Sequence, residues 1–141
     1  GYRHLAEVAA WNRLVHDAVH GELACGRLPI LLGGDHSLAI GSIAAAGRHC
    51  RETGKRLRVL WLDAHADFNT SVLTPSGNLH GMPVACLCGH GPRELARLLA
   101  RALRAGRRRL GARWARAASG ELHRNHTAST RTGGRSRLWP R

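Results

Sequence analysis

Asp63, His65 and Asp67 stand at every second position in the stretch LDAHADFNTSVLTPSGNLHGM (Leu62–Met82), with alanines between them, and His80 follows after a turn-rich run. The residues just before them, RLRVLWL (Arg56–Leu62), are dense in Val, Leu and Trp and read as a short buried strand. Side chains alternate between the two faces of a strand. If the extended conformation persists to Phe68, Asp63, His65 and Asp67 share one face and Ala64 and Ala66 the other. Two carboxylates and an imidazole on one face are ligands suited to Mn, Fe(II), Co or Zn. The competing reading is a polar strand end whose acids cap a neighbouring helix, and the D-x-H-x-D spacing alone does not separate the two.

The elements around this stretch bear on the choice. YRHLAEVAAWNRLVHDAVHGEL (Tyr2–Leu23) places Leu5, Val8, Trp11, Val15 and Val19 at spacings of three and four, which predicts an amphipathic helix with these residues inward. Gly26 breaks the pattern, and LPILL (Leu28–Leu32) reads as a second short buried strand. GGDHS (Gly33–Ser37) follows. Ser37 is placed to cap the next helix, LAIGSIAAAGRHCRET (Leu38–Thr53), which Gly54 stops. A strand, one helix and a strand form a crossover, so strands near 28–32 and 57–63 are expected to be parallel neighbours. Sites in open α/β sheets lie at the carboxyl ends of strands. His36 follows the first strand, and Asp63, His65 and Asp67 end the second. Two independent segments thus bring ligands to one edge, which favours the metal reading.

TPSGNLHG (Thr74–Gly81) is a loop by its Pro and Gly content. Ser76, Asn78 and His80 alternate in it, although turn chemistry alone accounts for these residue types. PRELARLLARAL (Pro92–Leu103) reads as a helix with Pro at its first turn.

The length, 141 residues, is room for one domain, and Gly1 in place of Met suggests a fragment or a processed product. No apolar run approaches the roughly 18 residues of a membrane span. The cysteines Cys25, Cys50, Cys86 and Cys88 form no C-x-x-C pair and read as reduced, mostly buried thiols of a cytoplasmic protein. A zinc site of Cys86, Cys88 and His90 is the less favoured alternative.

The net charge of +13 is unevenly spread: residues 1–100 carry +2 and residues 101–141 carry +11. Residues 101–141 lack Val, Ile, Phe, Tyr, Met, Asp and Lys, and Arg, Ala and Gly make up 24 of the 41, so no sizeable core can form there. One reading is a basic arm for nucleic acid, with Trp114 and Trp139 available to stack on bases. A second is a disordered tail. The third, which is favoured, is a GC-rich coding sequence read in a shifted frame.

GGDHS (Gly33–Ser37), DAHAD (Asp63–Asp67) and SGNLHGMP (Ser76–Pro83), in this order and spacing, resemble the arginase/agmatinase ureohydrolases, and arginase most closely. The resemblance runs from residue 1 to about 99. It implies a partial three-layer α/β/α sandwich with a parallel sheet over 1–99, followed by the Arg-rich tail of 100–141. It implies a binuclear manganese hydrolase that releases urea from arginine, homo-oligomeric in a complete family member. Carried over, His36 ligates one Mn2+ and His65 the other, Asp63 bridges both, and Asp67 joins His36. Asn69, Ser76 and Asn78 match positions that hold the α-carboxylate end of arginine, and FNT…SGN favours arginase over agmatinase. His80 matches a proton-shuttling histidine. Guanidinium is a resonance-stabilised poor electrophile. Two cations sharing a water lower that water's pKa towards neutrality, and a histidine passes protons to the leaving amine.

The chain departs from the family in one respect that matters for metal binding. Its aspartates are Asp17, Asp35, Asp63 and Asp67, and none follows Asp67, so the family's late aspartate ligands have no counterpart among these 141 residues. Two hypotheses of different class follow: an incomplete arginase-type enzyme, or a non-enzymatic basic protein that binds nucleic acid through its tail.

Overall fold

A computed structural model describes residues 1–103, with side chains as far as residue 98. The expectations for the tail fall, from residue 104 onward, outside the described residues. The described chain runs through helix α1 (Leu5–Ala24), a 3₁₀ turn at His36–Leu38, helix α2 (Ala39–Glu52), a second 3₁₀ turn at Leu79–Gly81, and helices α3 (Pro83–Leu87) and α4 (Arg93–Leu103). α1, α2 and α4 coincide with the helices that periodicity predicts. The five-residue α3 was not predicted, although Pro83 at its first position is a start signal.

α2 is the central element, packed against α1 on one side and α4 on the other. The core consists of Ala9, Ile40, Leu79, Met82, Cys86 and Leu95, with Tyr2, Leu5, Val8 and Leu98 packed around it. The buried face of α1 is Ala9, Asn12, His16 and Val19, whereas Trp11 is 61% exposed. The face is therefore turned by about one residue from the expected one, for a reason found at the crossing with α2. Asn12 Oδ1 accepts the backbone N–H of Gly41 at 2.7 Å, and Asn12 Nδ2 donates to the Val8 carbonyl at 2.9 Å. Gly41 lies in the first turn of α2, where N–H groups have no partner within their own helix. A Cβ at Gly41 would stand 2.3 Å from the Asn12 carbonyl oxygen, so glycine is required for the two backbones to approach this closely.

The expected sheet does not form among the described residues: 28–32 and 57–63 carry no β-ladder. Leu28, Ile30, Leu32, Leu60 and Leu62 are each more than three-quarters exposed. A parallel sheet is stable when layers cover both of its faces, and the described helices leave these runs uncovered. Ser37 does not cap α2 as expected: it lies inside the 3₁₀ turn that precedes the helix, and α2 has no side-chain cap. Asp35 caps that turn instead, its carboxylate accepting the Ser37 backbone N–H at 2.8 Å.

The cysteine expectation is met in part. All four thiols are free, but Cys86 alone is buried and Cys25 is exposed. Burial pushes the Cys86 thiol up to about 12. That opposes the thiolate form a zinc ligand needs, and Cys86, Cys88 and His90 do not assemble as a ligand group among the described residues.

Candidate metal centre

His36, Asp63 and Asp67 converge. Each offers one ligand atom, and these atoms lie within 4.8 Å of one another. His36 Nε2 is 3.3 Å from Asp63 Oδ2, and His36 Nδ1 is 3.2 Å from Asp67 Oδ2. The two segments that the sequence pointed to therefore meet, although no sheet aligns them.

Local turns do the positioning instead. Gly33 and Gly34 take positive φ (83° and 68°) and lead the chain into Asp35. The Asp35 cap then fixes the 3₁₀ turn that carries His36. On the other segment the chain bends at Ala64–His65, because Asp63 Oδ1 accepts the His65 backbone N–H at 2.8 Å. This is an Asx turn, a local bond that competes with a continued strand. Asp67 then adopts φ 47°, in the left-handed region. Its carbonyl oxygen accepts from Val84 and Ala85 N–H at 3.1 and 3.4 Å, satisfying the first turn of α3. The backbone of Asp67 is thus tied to the core helix while its side chain faces His36.

The bend corrects the extended-strand expectation for His65. Its side chain is 82% exposed and stands outside the cluster of three, with Nδ1 3.2 Å from Asp63 Oδ1. The substrate-loop candidates lie close by in the chain path. Asn69 donates its backbone N–H to the Gly81 carbonyl at 3.0 Å. Ser76 Oγ accepts the Asn78 N–H at 3.2 Å, and the Asn78 side chain caps nothing. His80 is exposed on the second 3₁₀ turn, which packs against the turn bearing His36. Sequence reasoning missed Trp61, whose ring stacks on His36 at a centroid distance of 4.9 Å and an interplanar angle of 22°. A signal was present: Trp61 precedes Asp63 by two residues and so shares its face of an extended chain.

The two carboxylates are driven in opposite directions. Burial pushes Asp67 up, with the charge of Asp63 adding and that of His36 opposing. The His65 backbone N–H holds Asp63 down, helped by the imidazoles of His65 and His36. Asp67 Oδ2 is buried and makes no hydrogen bond, although it stands 3.2 Å from His36 Nδ1. A cation would supply the missing partner. Ligands about 2.0–2.2 Å from a metal stand roughly 3–4.4 Å apart around an octahedron, so the observed spread suits one ion after small side-chain shifts. The His36 side chain is 41% exposed. The donor set, one imidazole and two carboxylates, suits a hard or borderline divalent metal.

Comparison with known proteins places the chain among relatives of one kind. The chain is 42% identical over 98 residues to an arginase of Staphylococcus aureus (strain COL), a match covering 70% of the chain and 31% of that protein. It is 45% identical over 96 residues to an arginase of Bacillus caldovelox, covering 68% and 31%. The native structure of the Bacillus caldovelox arginase superposes with a TM-score of 0.64 at 44% identity, over 70% of this chain and 31% of that one. An Entamoeba histolytica arginase in complex with L-ornithine superposes with a TM-score of 0.63 at 41% identity, over 70% and 33%. The chain spans about a third of the length of these relatives, and their likeness supports a ureohydrolase fold. The description "Arginase family" matches residues 3–132, past the limit near residue 99 that the motifs set, and the chain belongs to the arginase family.

Proposed function

We propose that residues 1–99 are the metal-binding part of an arginase-type manganese ureohydrolase, which converts L-arginine and water into L-ornithine and urea. The convergence of His36, Asp63 and Asp67 from two separate segments, within 4.8 Å, carries the reading. These three residues would hold one ion, and His65, turned inward beside Asp63, would help to hold a second. When bound, the ions lower the pKa of water and so make a nucleophile available near neutral pH.

The remaining roles belong to the chain. Asn69, Ser76 and Asn78 bind the α-carboxylate end of arginine, and the Asn78 side chain makes no cap bond that would compete. His80 moves a proton to the leaving amine, for which its exposure and the ability of an imidazole both to accept and to give a proton suit it. The free thiols fit a cytoplasmic setting. No described helix is long and apolar enough to cross a membrane. Homo-oligomerisation belongs to this proposal as well.

The ligand count sets the expected behaviour of the 141-residue chain by itself. It binds one Mn2+ weakly and releases no measurable urea, because a second ion lacks carboxylates to fix it. Placing residues 1–98 in the Bacillus caldovelox arginase, in place of its matching segment, gives a chimera with Mn2+-dependent urea release. His36→Ala or Asp63→Ala in the chimera abolishes that release. A chimera that folds, binds Mn2+ and keeps its activity after Asp63→Ala would falsify the assignment.

A further inference from the structure

Two buried side-chain polar atoms lack a hydrogen-bond partner among the described residues: Trp61 Nε1 and Asp67 Oδ2. One is a pure donor and the other belongs to an acceptor group. Unpaired polar atoms are uncommon in folded proteins, and each calls for a reason. Both flank the same imidazole. Trp61 lies face-on to His36 with ring centroids 4.9 Å apart, and Asp67 Oδ2 stands 3.2 Å from His36 Nδ1.

We propose that Trp61 is a positioning residue for two metal ligands: its ring face fixes the plane of the His36 imidazole, and its indole N–H donates to the Asp67 carboxylate once a divalent cation is bound. The inference rests on reading His36, Asp63 and Asp67 as a metal site. In the metal-free arrangement His36 draws on Asp67 Oδ2. A cation between the two relieves that contact and leaves the carboxylate free to turn an oxygen toward Trp61. Donors of this kind orient ligating carboxylates and histidines and strengthen them as ligands. The aromatic face adds a second restraint, since stacking holds the imidazole in one rotational setting. Phenylalanine at position 61 keeps the face and loses the donor, and alanine loses both, so the two contributions can be read separately.

The test uses the 141-residue chain, with Mn2+ and the diamagnetic Zn2+ as probes. The chain has four tryptophans, and triple-resonance connectivity assigns the Trp61 indole N–H without a variant. On adding Zn2+ that resonance moves downfield as the hydrogen bond forms, and the other indoles stay in place. In electron paramagnetic resonance titrations Trp61→Phe weakens Mn2+ binding by roughly 10-fold, and Trp61→Ala weakens it further. A stationary Trp61 resonance in metal-loaded protein, or Mn2+ binding by Trp61→Phe equal to wild type, overturns the role of Trp61 and leaves the metal site standing. Failure of the wild-type chain to bind either cation removes the site itself and this inference with it.

Discussion

Carboxylates of one chemical type behave oppositely in this chain according to their nearest donors. Asp67 is pushed up by burial, whereas Asp63 is held down by the His65 backbone N–H. Glu52 carries the same effect into stability. Arg48 and His20 hydrogen-bond its carboxylate at 2.8 and 2.7 Å and lower it from 4.5 to about 2. A carboxylate depressed by folding stabilises the native state above its unfolded pKa, and that contribution fades as pH falls through the folded one. Wild type is therefore expected to exceed Glu52→Gln in stability at pH 4.5 and above, with the gap closing by about pH 2. The gap is small, because the pair is exposed and screened by solvent. Urea-denaturation midpoints of both proteins across this range check it, and a gap that widens on acidification would contradict the pairing.

Among elements, the crossing of α1 and α2 controls how the first half of the fold is assembled. Hydrophobic spacing located α1 correctly but placed its inward face about one residue away from where it lies. Asn12 is fully buried, and a polar residue there makes sense because its amide oxygen caps the Gly41 N–H. Asn12→Ala is expected to lower stability by about 1–3 kcal/mol, the cost of a buried N–H left without a partner. Chemical denaturation of the variant measures this. A loss near zero would mean that the Gly41 N–H finds another acceptor. The same crossing aligns the start of α2, and with it the turn that bears His36.

Over the whole molecule, the apolar runs 28–32 and 57–63 remain without cover among the described residues. Leu28, Leu32, Leu60 and Leu62 are each above 80% exposed. Patches of this kind associate with whatever apolar surface is available. The 141-residue chain is expected to bind the dye ANS and to self-associate as its concentration rises. Replacing Leu60 and Leu62 together by Lys should weaken both effects and leave the helical circular dichroism unchanged. Sedimentation velocity and dye titration read the outcome, and a monomer indifferent to dye would show that these runs are covered in solution.

The sequence by itself pointed to the candidate ligands that the fold brings together and to where three of the helices lie. His36, Asp63 and Asp67 were legible because their types and positions after two apolar runs are local properties of the chain. α1, α2 and α4 were legible because repeating apolar positions and Gly or Pro stops are also local. Tertiary structure decided the rest. Whether 28–32 and 57–63 pair depends on layers that no short window contains. Whether His65 faces inward was decided by a competition between strand alternation and the Asx turn of Asp63, which spacing cannot settle. The inward face of α1 depended on Gly41, 29 residues from Asn12 along the chain. The partnership of Trp61 with His36 likewise required two segments to meet, since a stacking contact has no signature in either segment alone.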